Sequence, residues 1–131
     1  YIIFKIDYII FFYKMKTGVL IDTNNNLQNV SLDMTQGTNS IGELLNDKLT
    51  FIGQILREPE KCNAVIMNGK NSEKNKLKHN SFNIPPFDNK VYGNMFIICM
   101  DDNSEPQDFT IDDLNEYIEN YESKYKKNYY E

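Results

Sequence analysis

Four carboxylates in one short acidic segment have the residue types and spacing that could bind a divalent metal ion: Asp101, Asp102, Glu105 and Asp108. Oxygen ligands of this kind suit Mg²⁺ or Ca²⁺, and the segment follows an apolar run typical of a buried strand. It lacks the glycine and the final glutamate of an EF-hand loop. The favoured alternative is a turn whose acidic residues also compensate the dipole of a following helix. We therefore expect no metal ion at these residues.

A second group of chemically capable residues consists of Cys62, His79 and Cys99. Their spacing does not resemble the paired ligands of a zinc site. A cysteine nucleophile would need His79 as its base, and neither cysteine lies in a catalytic motif. The sequence also contains no G-x-S-x-G motif and no glycine-rich phosphate loop. We predict no cofactor and no catalytic residue, with both thiols reduced as in a cytosolic compartment.

Tyr117, Tyr121 and Tyr125 are spaced four residues apart, which places them on one face of a helix. Two interpretations stay open. These tyrosines could pack the helix against the rest of the domain, or they could be exposed and contact another protein, since tyrosine is enriched in protein interfaces. A domain of this length should run out of core beyond Tyr121, which makes these residues the candidate partner-binding site.

The basic residues concentrate in one polar loop, which contains Lys70, Lys74, Lys76, Lys78 and His79. No aromatic residues interleave there to stack nucleic acid bases, so a solvated loop is favoured over a site for phosphate or an acidic partner. The whole chain carries a net charge of −5. This balance argues against non-specific nucleic acid binding and against docking to anionic lipid. We expect a protein partner, a second copy of the chain among the candidates, and neither nucleic acid nor membrane.

The elements that would position these residues are clearest in the second half of the chain. Met95–Met100 is a continuous apolar run bounded by turn residues, which predicts a strand buried on both faces. The Pro85-Pro86 pair predicts a stiff, extended approach to it. Thr110 is the predicted N-cap of a helix whose apolar residues recur on one face.

The first half of the chain supplies the remaining elements. Residues 18–32 predict a β-hairpin, and Ser40 with Glu43 predicts the capping box of a short helix. Thr50–Leu56 and Cys62–Met67 are predicted strands, followed by an exposed polar loop over residues 68–81. The order β-β-α-β-β-β-α predicts an α+β fold. We expect a two-layer sandwich with a mostly antiparallel sheet of about five strands and two helices on one of its faces.

Residues 1–14 differ in composition from the rest of the chain. Apart from Asp7, they consist only of Tyr, Ile, Phe and Lys, which A/T-only codons can encode. Met15 is the first methionine in the chain. We predict an upstream translated or disordered segment at 1–14 and a single α+β domain at 15–131. An additional strand is one alternative. A membrane segment or signal is another, although the stretch is shorter than the about 20 apolar residues that span a bilayer.

Three sequence stretches carry a resemblance to a known family. They are MKTGVLIDTNNNLQNVSL, then LTFIGQ followed by AVIM, and finally PPFDNKVYGNMFIICMDDNSEPQDFT. In this order they resemble a family of small uncharacterised proteins encoded by nucleocytoplasmic large DNA viruses. The resemblance implies a viral origin and no particular activity. It places the protein in the host cytoplasm or in the virion.

The leading functional hypothesis from sequence is a non-enzymatic protein–protein interaction module, associated with a virion or modulating a host. Tyr117, Tyr121 and Tyr125 would form its contact surface. The alternative is a small metal-dependent enzyme or ligand-binding protein that uses the acidic segment Asp101–Asp108. The two differ in what they require, because only the alternative depends on a metal ion.

Overall fold

The computed structural model of the protein describes residues 14–58 and 61–130. The strands of this part of the chain are β1 (Met15–Ile21), β2 (Leu27–Asp33), β3 (Leu49–Ile55), β4 (Asn63–Gly69), β5 (His79–Asn80), β6 (Val91–Tyr92), β7 (Met95–Met100) and β8 (Pro106–Gln107). Its helices are α1 (Ser40–Leu45) and α2 (Ile111–Tyr130). Apart from Lys14, the predicted upstream segment lies outside the described residues, so its nature stays a prediction.

The main sheet is antiparallel throughout, in the order β2-β1-β7-β4-β3, with β8 paired to the end of β7. β5 and β6 form a separate two-stranded hairpin. The central position of β7 follows from its sequence, because Met95 through Cys99 are all buried and fill both faces of the sheet. The predicted α+β class, with an antiparallel sheet and two helices, is confirmed.

The two faces of the sheet pack against different helices. On one face, Phe96 and Ile98 of β7 contact a cluster that includes Ile41 of α1. On the other face, Met95, Ile97 and Cys99 belong to a larger cluster that includes Leu114 of α2. The structure therefore differs from the expected layering, in which both helices share one face. Because β7 is apolar on both faces, both faces of the sheet must be shielded from solvent, and one helix packs on each of them.

Helix α1 begins differently from the prediction. The expected Ser40–Glu43 capping box does not form, and the N-cap is Asn39, which makes no side-chain capping bond. The Ser40 hydroxyl instead donates to the carbonyl of Asp33 at 2.7 Å. The helix ends at Leu45, and its C-cap Asn46 adopts the left-handed conformation (φ 54°) and donates its N–H to the carbonyl of Glu43. A tertiary hydrogen bond to β2 thus replaces the predicted local cap.

The prediction of a wholly exposed loop over residues 68–81 is wrong, because several of its polar residues are buried. Asn68 belongs to β4, and its side-chain amide donates to the carbonyls of Tyr92 and Asn94 at 2.9 and 3.0 Å. Asn80 belongs to β5 and is 4% exposed. Its amide donates to the carbonyls of Ile21, Asp22 and Gly93, which ties the β5–β6 hairpin to the main sheet.

The Pro85-Pro86 pair forms a tight turn, so the predicted extended geometry is wrong here. The peptide bond between these prolines is cis, and the N–H of Phe87 donates to the carbonyl of Ile84 at 2.8 Å. Ile84 is buried in the larger cluster. The Phe87 ring lies against Gly53 of β3, where an added Cβ would come within 2.8 Å of it. These contacts fix the prolines beside the end of β3.

Candidate functional site

Helix α2 is fixed at its start by a reciprocal cap. The N–H of Asp113 donates to the hydroxyl of Thr110 at 3.3 Å, and the N–H of Thr110 donates to the Asp113 carboxylate at 2.9 Å. The predicted N-cap at Thr110 is confirmed. Next to the cap, the N–H of Ile111 donates to the side chain of Asn29 in β2 at 2.9 Å. The first turn of α2 is therefore anchored to the sheet.

Burial along α2 decreases from its first turns toward its end. Leu114 is fully buried, and Tyr117 is partly buried against the larger cluster. The Tyr117 hydroxyl donates a hydrogen bond to the carbonyl of Pro85. Tyr121 is partly exposed, and Tyr125 is 51% exposed. Tyr117 therefore fits the packing interpretation of these tyrosines, whereas Tyr125 leaves most of its ring open to contact.

The three tyrosines line a groove of about 510 Å³ between α2 and the end of β3. We call it the tyrosine groove. Its apolar lining is formed by Leu56, Pro86, Tyr117, Tyr121 and Tyr125. Leu56 is 67% exposed, and the rings of Tyr121 and Tyr125 lie 4.4 Å apart between centroids. The groove thus presents apolar surface to solvent from two separate elements.

Two ion pairs hold the polar wall of the tyrosine groove in place. A guanidinium nitrogen of Arg57 lies 3.4 Å from an Asp113 carboxylate oxygen, and the side chain of Arg57 is only 11% exposed. Lys61 Nζ lies 2.6 Å from a Glu116 carboxylate oxygen, and this hydrogen bond raises the pKa of Lys61. Both pairs join the segment after β3 to α2.

Arg57 is further fixed by contacts beneath the groove. Its guanidinium donates to the carbonyl of Cys62 and to Cys99 Sγ, both at 3.3 Å. It also lies 5.5 Å from the centroid of the Phe109 ring, within the range of a cation–π contact. A largely buried cation with this many partners is a rigid wall, and a rigid wall lowers the entropy lost on binding.

The tyrosine groove is suited to binding more than to proton transfer. Burial raises the pKa of the Tyr117 hydroxyl, and the neighbouring Tyr121 and Tyr125 raise it further. A tyrosine with a raised pKa stays protonated at neutral pH and donates hydrogen bonds. The groove therefore offers flat apolar rings with hydroxyl donors, together with charged groups already engaged in ion pairs.

The acidic segment is organised as a turn. One Asp101 carboxylate oxygen accepts from the N–H groups of Asn103 and Glu105, both at 2.9 Å, and the other accepts from the Gln107 side chain at 3.0 Å. The hydrogen bond from Glu105 is the main reason that the pKa of Asp101 is lowered. Asp101 and its partners thus close the connection between β7 and β8.

The other predicted metal ligands do not join Asp101 in a cluster. The Asp108 carboxylate accepts from the N–H of Thr17 at 2.8 Å, and Asp102 and Glu105 are exposed. Among residues 14–58 and 61–130, no three side chains of His, Cys, Asp or Glu are arranged to hold a metal ion. Two of the four carboxylates therefore act as structural acceptors in this fold.

We expect metal ions to leave the stability of the protein unchanged. Because the oxygens of Asp101 already accept three hydrogen bonds, adding Mg²⁺ or Ca²⁺, or removing metal with a chelator, should not shift the melting temperature. Differential scanning fluorimetry checks this, with Asp102→Asn as the matched variant. A metal-dependent rise in Tm that Asp102→Asn abolishes would contradict the prediction and revive the metal-dependent alternative.

The structure separates His79 from the cysteines. His79 lies in β5, where its ring makes an edge contact with Tyr92 at 5.8 Å between centroids. Cys99 lies at the far end of β7 from that hairpin, and its thiol donates weakly to the carbonyl of Cys62 at 3.6 Å. His79 is therefore not placed as a base for either thiol in this arrangement.

We expect the Cys99 thiol to be unreactive in the folded protein. Burial raises its pKa to about 11, against an opposing effect of Arg57. Since the thiolate is the nucleophile and the unfolded thiol ionises near pH 9, the folded protein should contain about fiftyfold less Cys99 thiolate at that pH. Because the folded state holds the Cys99 proton more tightly than the unfolded state, the contribution of this thiol to stability is fully present below pH 9. That contribution is lost as the pH rises toward 11.

Alkylation of the Cys62→Ser variant by iodoacetamide at pH 9, followed by mass spectrometry, measures this effect. Labelling of Cys99 should be at least about fiftyfold slower in buffer than in denaturant. Equal labelling rates in the two conditions would show that the Cys99 thiol is not buried and that its pKa is not raised.

Sequence reasoning identified one wall of the tyrosine groove and missed the other. The tyrosine spacing pointed to the α2 face, but Leu56, Arg57, Lys61 and Pro86 were not recognised as its partners. A signal existed for Leu56. It directly follows the buried Ile55, and consecutive residues in a strand point to opposite sides, so Leu56 points away from the side on which Ile55 is buried.

Comparison with known proteins gives one match. A family model described as "Family of unknown function (DUF5880)" matches residues 19–117. No curated protein and no solved structure matches the chain. The matched range covers most of the main sheet and ends at Tyr117, so Tyr121 and Tyr125 lie beyond it.

Within the described residues, no helix is both long and apolar enough to cross a membrane.

Proposed function

Because the chain belongs to the DUF5880 family of unknown function, we propose its function from the tyrosine groove: the protein is a non-enzymatic interaction module that binds a protein partner there. One observation carries this proposal. Leu56 and Tyr125 are 67% and 51% exposed, and both line the same groove from opposite walls. Exposed apolar side chains that converge on one concavity are typical of contact sites.

The composition of the groove supports a protein partner. Tyrosine and arginine are enriched at the energetic centres of protein interfaces, and the groove contains three tyrosines and the chain's single arginine. Tyrosine supplies apolar contact area and a hydroxyl donor with few rotatable bonds. The Arg57–Asp113 and Lys61–Glu116 pairs hold the polar wall in place before binding, which favours affinity.

The setting of the interaction follows from the sequence resemblance. The A/T-rich residue usage and the similarity to proteins of large DNA viruses support a viral origin. On this proposal the partner is a virion component or a host protein, and the interaction takes place in the host cytoplasm or in the virion. A second copy of the chain is the other partner to consider.

Affinity capture with variants tests the interaction proposal. Wild-type protein, Tyr125→Ala and Phe51→Ala are immobilised in parallel and exposed to extract of the cells that contain the protein. Phe51 is the matched control because it is 65% exposed but does not line the groove. We expect a specific partner, identified by mass spectrometry, that is retained by Phe51→Ala and lost by Tyr125→Ala.

Two outcomes would count against the proposal. One is a partner that Tyr125→Ala binds as strongly as the wild type does. The other is the absence of any partner above background, with a monomeric mass by light scattering, which also removes self-association. A dimer that Tyr125→Ala dissociates would instead identify the partner as a second copy of the chain.

A further inference from the structure

One end of the tyrosine groove already holds a proline segment of the chain itself. Pro86 lines the groove, and the Tyr117 hydroxyl donates to the carbonyl of Pro85. The prolines therefore meet the groove in two ways: the Pro86 side chain is part of its lining, and the Pro85 carbonyl accepts from a tyrosine hydroxyl. Aromatic-lined grooves are also the sites that recognise proline-rich peptides.

Beyond Tyr117 the same surface continues along α2. Tyr121 and Tyr125 extend the row of rings along α2, with centroid distances of 6.2 Å from Tyr117 to Tyr121 and 4.4 Å from Tyr121 to Tyr125. In the part of the chain that the structure describes, neither the Tyr121 nor the Tyr125 hydroxyl makes a hydrogen bond like that of Tyr117. Two donors and two rings are thus available next to the proline contact.

The length of this surface fits a short extended segment. Tyr117 and Tyr125 are eight residues apart, which corresponds to about 12 Å along an α-helix. A polyproline II helix rises about 3.1 Å per residue, so about four of its residues would cover the same distance. A segment of that size is typical of a short proline-rich recognition motif.

The charge of the groove suits a neutral ligand. Its charged lining consists of equal numbers of cationic and anionic side chains: Arg57, Lys61, Lys124, Glu58, Asp113 and Glu116. Four of these form the two ion pairs of the polar wall. The groove therefore has no excess charge that would attract a strongly acidic or basic peptide, whereas a proline-rich sequence requires none.

We propose that the tyrosine groove binds a proline-rich segment of a partner protein. The segment would lie along Tyr121 and Tyr125 and repeat there the hydrogen bond that Tyr117 makes to the carbonyl of Pro85. This inference rests on the proposed function and specifies the chemistry of the partner. The carbonyls of a polyproline II segment have no internal hydrogen bonds, so they are free to accept from the tyrosine hydroxyls. Such a segment is also stiff before binding, which reduces the entropy that it loses.

A decaproline peptide carrying a fluorescent label is the probe for this inference. Fluorescence anisotropy is followed while full-length protein is added up to about 1 mM. We expect saturable binding of decaproline and none of a glycine–serine peptide of equal length. Tyr121→Ala and Tyr125→Ala should each weaken binding by about tenfold or more, and the control Phe51→Ala should leave it unchanged. Tyr121→Phe isolates the contribution of the hydroxyl donor.

The possible results separate the inference from the proposed function. If decaproline does not bind, or binds Tyr125→Ala as well as the wild type, the inference is overturned. The interaction function still stands in that case if a captured partner is lost with Tyr125→Ala. If a captured partner depends on Tyr125 but decaproline does not compete for it, the groove recognises another kind of segment, and the inference is again overturned.

Discussion

Replacing Phe109 with alanine is expected to lower the free energy of unfolding by about 3–5 kcal/mol. Phe109 is fully buried in the larger cluster, between the sheet and the start of α2. Its N–H donates to the carbonyl of Thr17 at 2.8 Å, so the backbone cannot move freely to fill the space left by the ring. The substitution therefore combines lost apolar burial with a cavity. It also removes the ring on which the Arg57 guanidinium rests.

Urea denaturation monitored by circular dichroism measures this loss, with Phe51→Ala as the matched control. Phe51 lies in β3 and is 65% exposed, so its truncation should change the free energy of unfolding by no more than about 0.5 kcal/mol. Equal losses for the two variants would contradict the core placement of Phe109. A loss below about 1 kcal/mol for Phe109→Ala would contradict it as well.

Asn80→Ala is expected to cost about 2–3 kcal/mol although it removes little apolar surface. The Asn80 amide donates to the carbonyls of Ile21 and Gly93, and its carbonyl oxygen accepts from the N–H of Phe82. Alanine would remove these three hydrogen bonds at a buried site. The third acceptor, the Asp22 carbonyl, also accepts from the N–H of Asn25 and so keeps a partner.

Asn75→Ala is the control for this effect. Asn75 lies in the same polar segment, but its side chain is exposed. Urea denaturation should show a clear loss for Asn80→Ala and a change of no more than about 0.5 kcal/mol for Asn75→Ala. Faster amide exchange in the β5–β6 hairpin of Asn80→Ala would show where the stability is lost. Similar stabilities for the two variants would mean that the buried amide does not hold the hairpin.

The elements with strong local patterns were predictable from sequence. The apolar run Met95–Met100 became the central strand β7, and Thr110 became the N-cap of α2. Both signals depend on residues close together in the chain. The Ser40–Glu43 capping box does not form because the Ser40 hydroxyl donates instead to the carbonyl of Asp33, seven residues earlier. The residues around Ser40 do not show that this competing acceptor lies nearby.

Polar residues with structural roles were the least predictable part of the fold. Asn68 and Asn80 lie in a segment whose composition is typical of a solvated loop, yet both are buried. Their burial depends on backbone carbonyls supplied by β1, β6 and the connection to β7. A composition pattern carries no information on where such acceptors will be in three dimensions.

Only one wall of the tyrosine groove was predictable from sequence, because the other wall depends on contacts between segments that are distant in the chain. Tyr117, Tyr121 and Tyr125 define their face by helical spacing, so the sequence located that wall. Leu56 and Arg57 follow β3, some sixty residues earlier in the chain. They meet α2 only because the helix begins beside β2 and its later turns reach the opposite edge of the sheet, where β3 lies. The sheet order that brings them together is not encoded in either segment alone.

Photo-crosslinking from inside the tyrosine groove tests the interaction function most directly. The photoreactive residue p-benzoylphenylalanine is placed at position 125 and, as the control, at position 51, and the protein is irradiated in the cells that contain it. If the groove is a protein-binding site, a discrete adduct forms from position 125 and not from position 51, and Tyr121→Ala reduces it. Equal adducts from both positions, or none from position 125, would contradict a binding role for the groove.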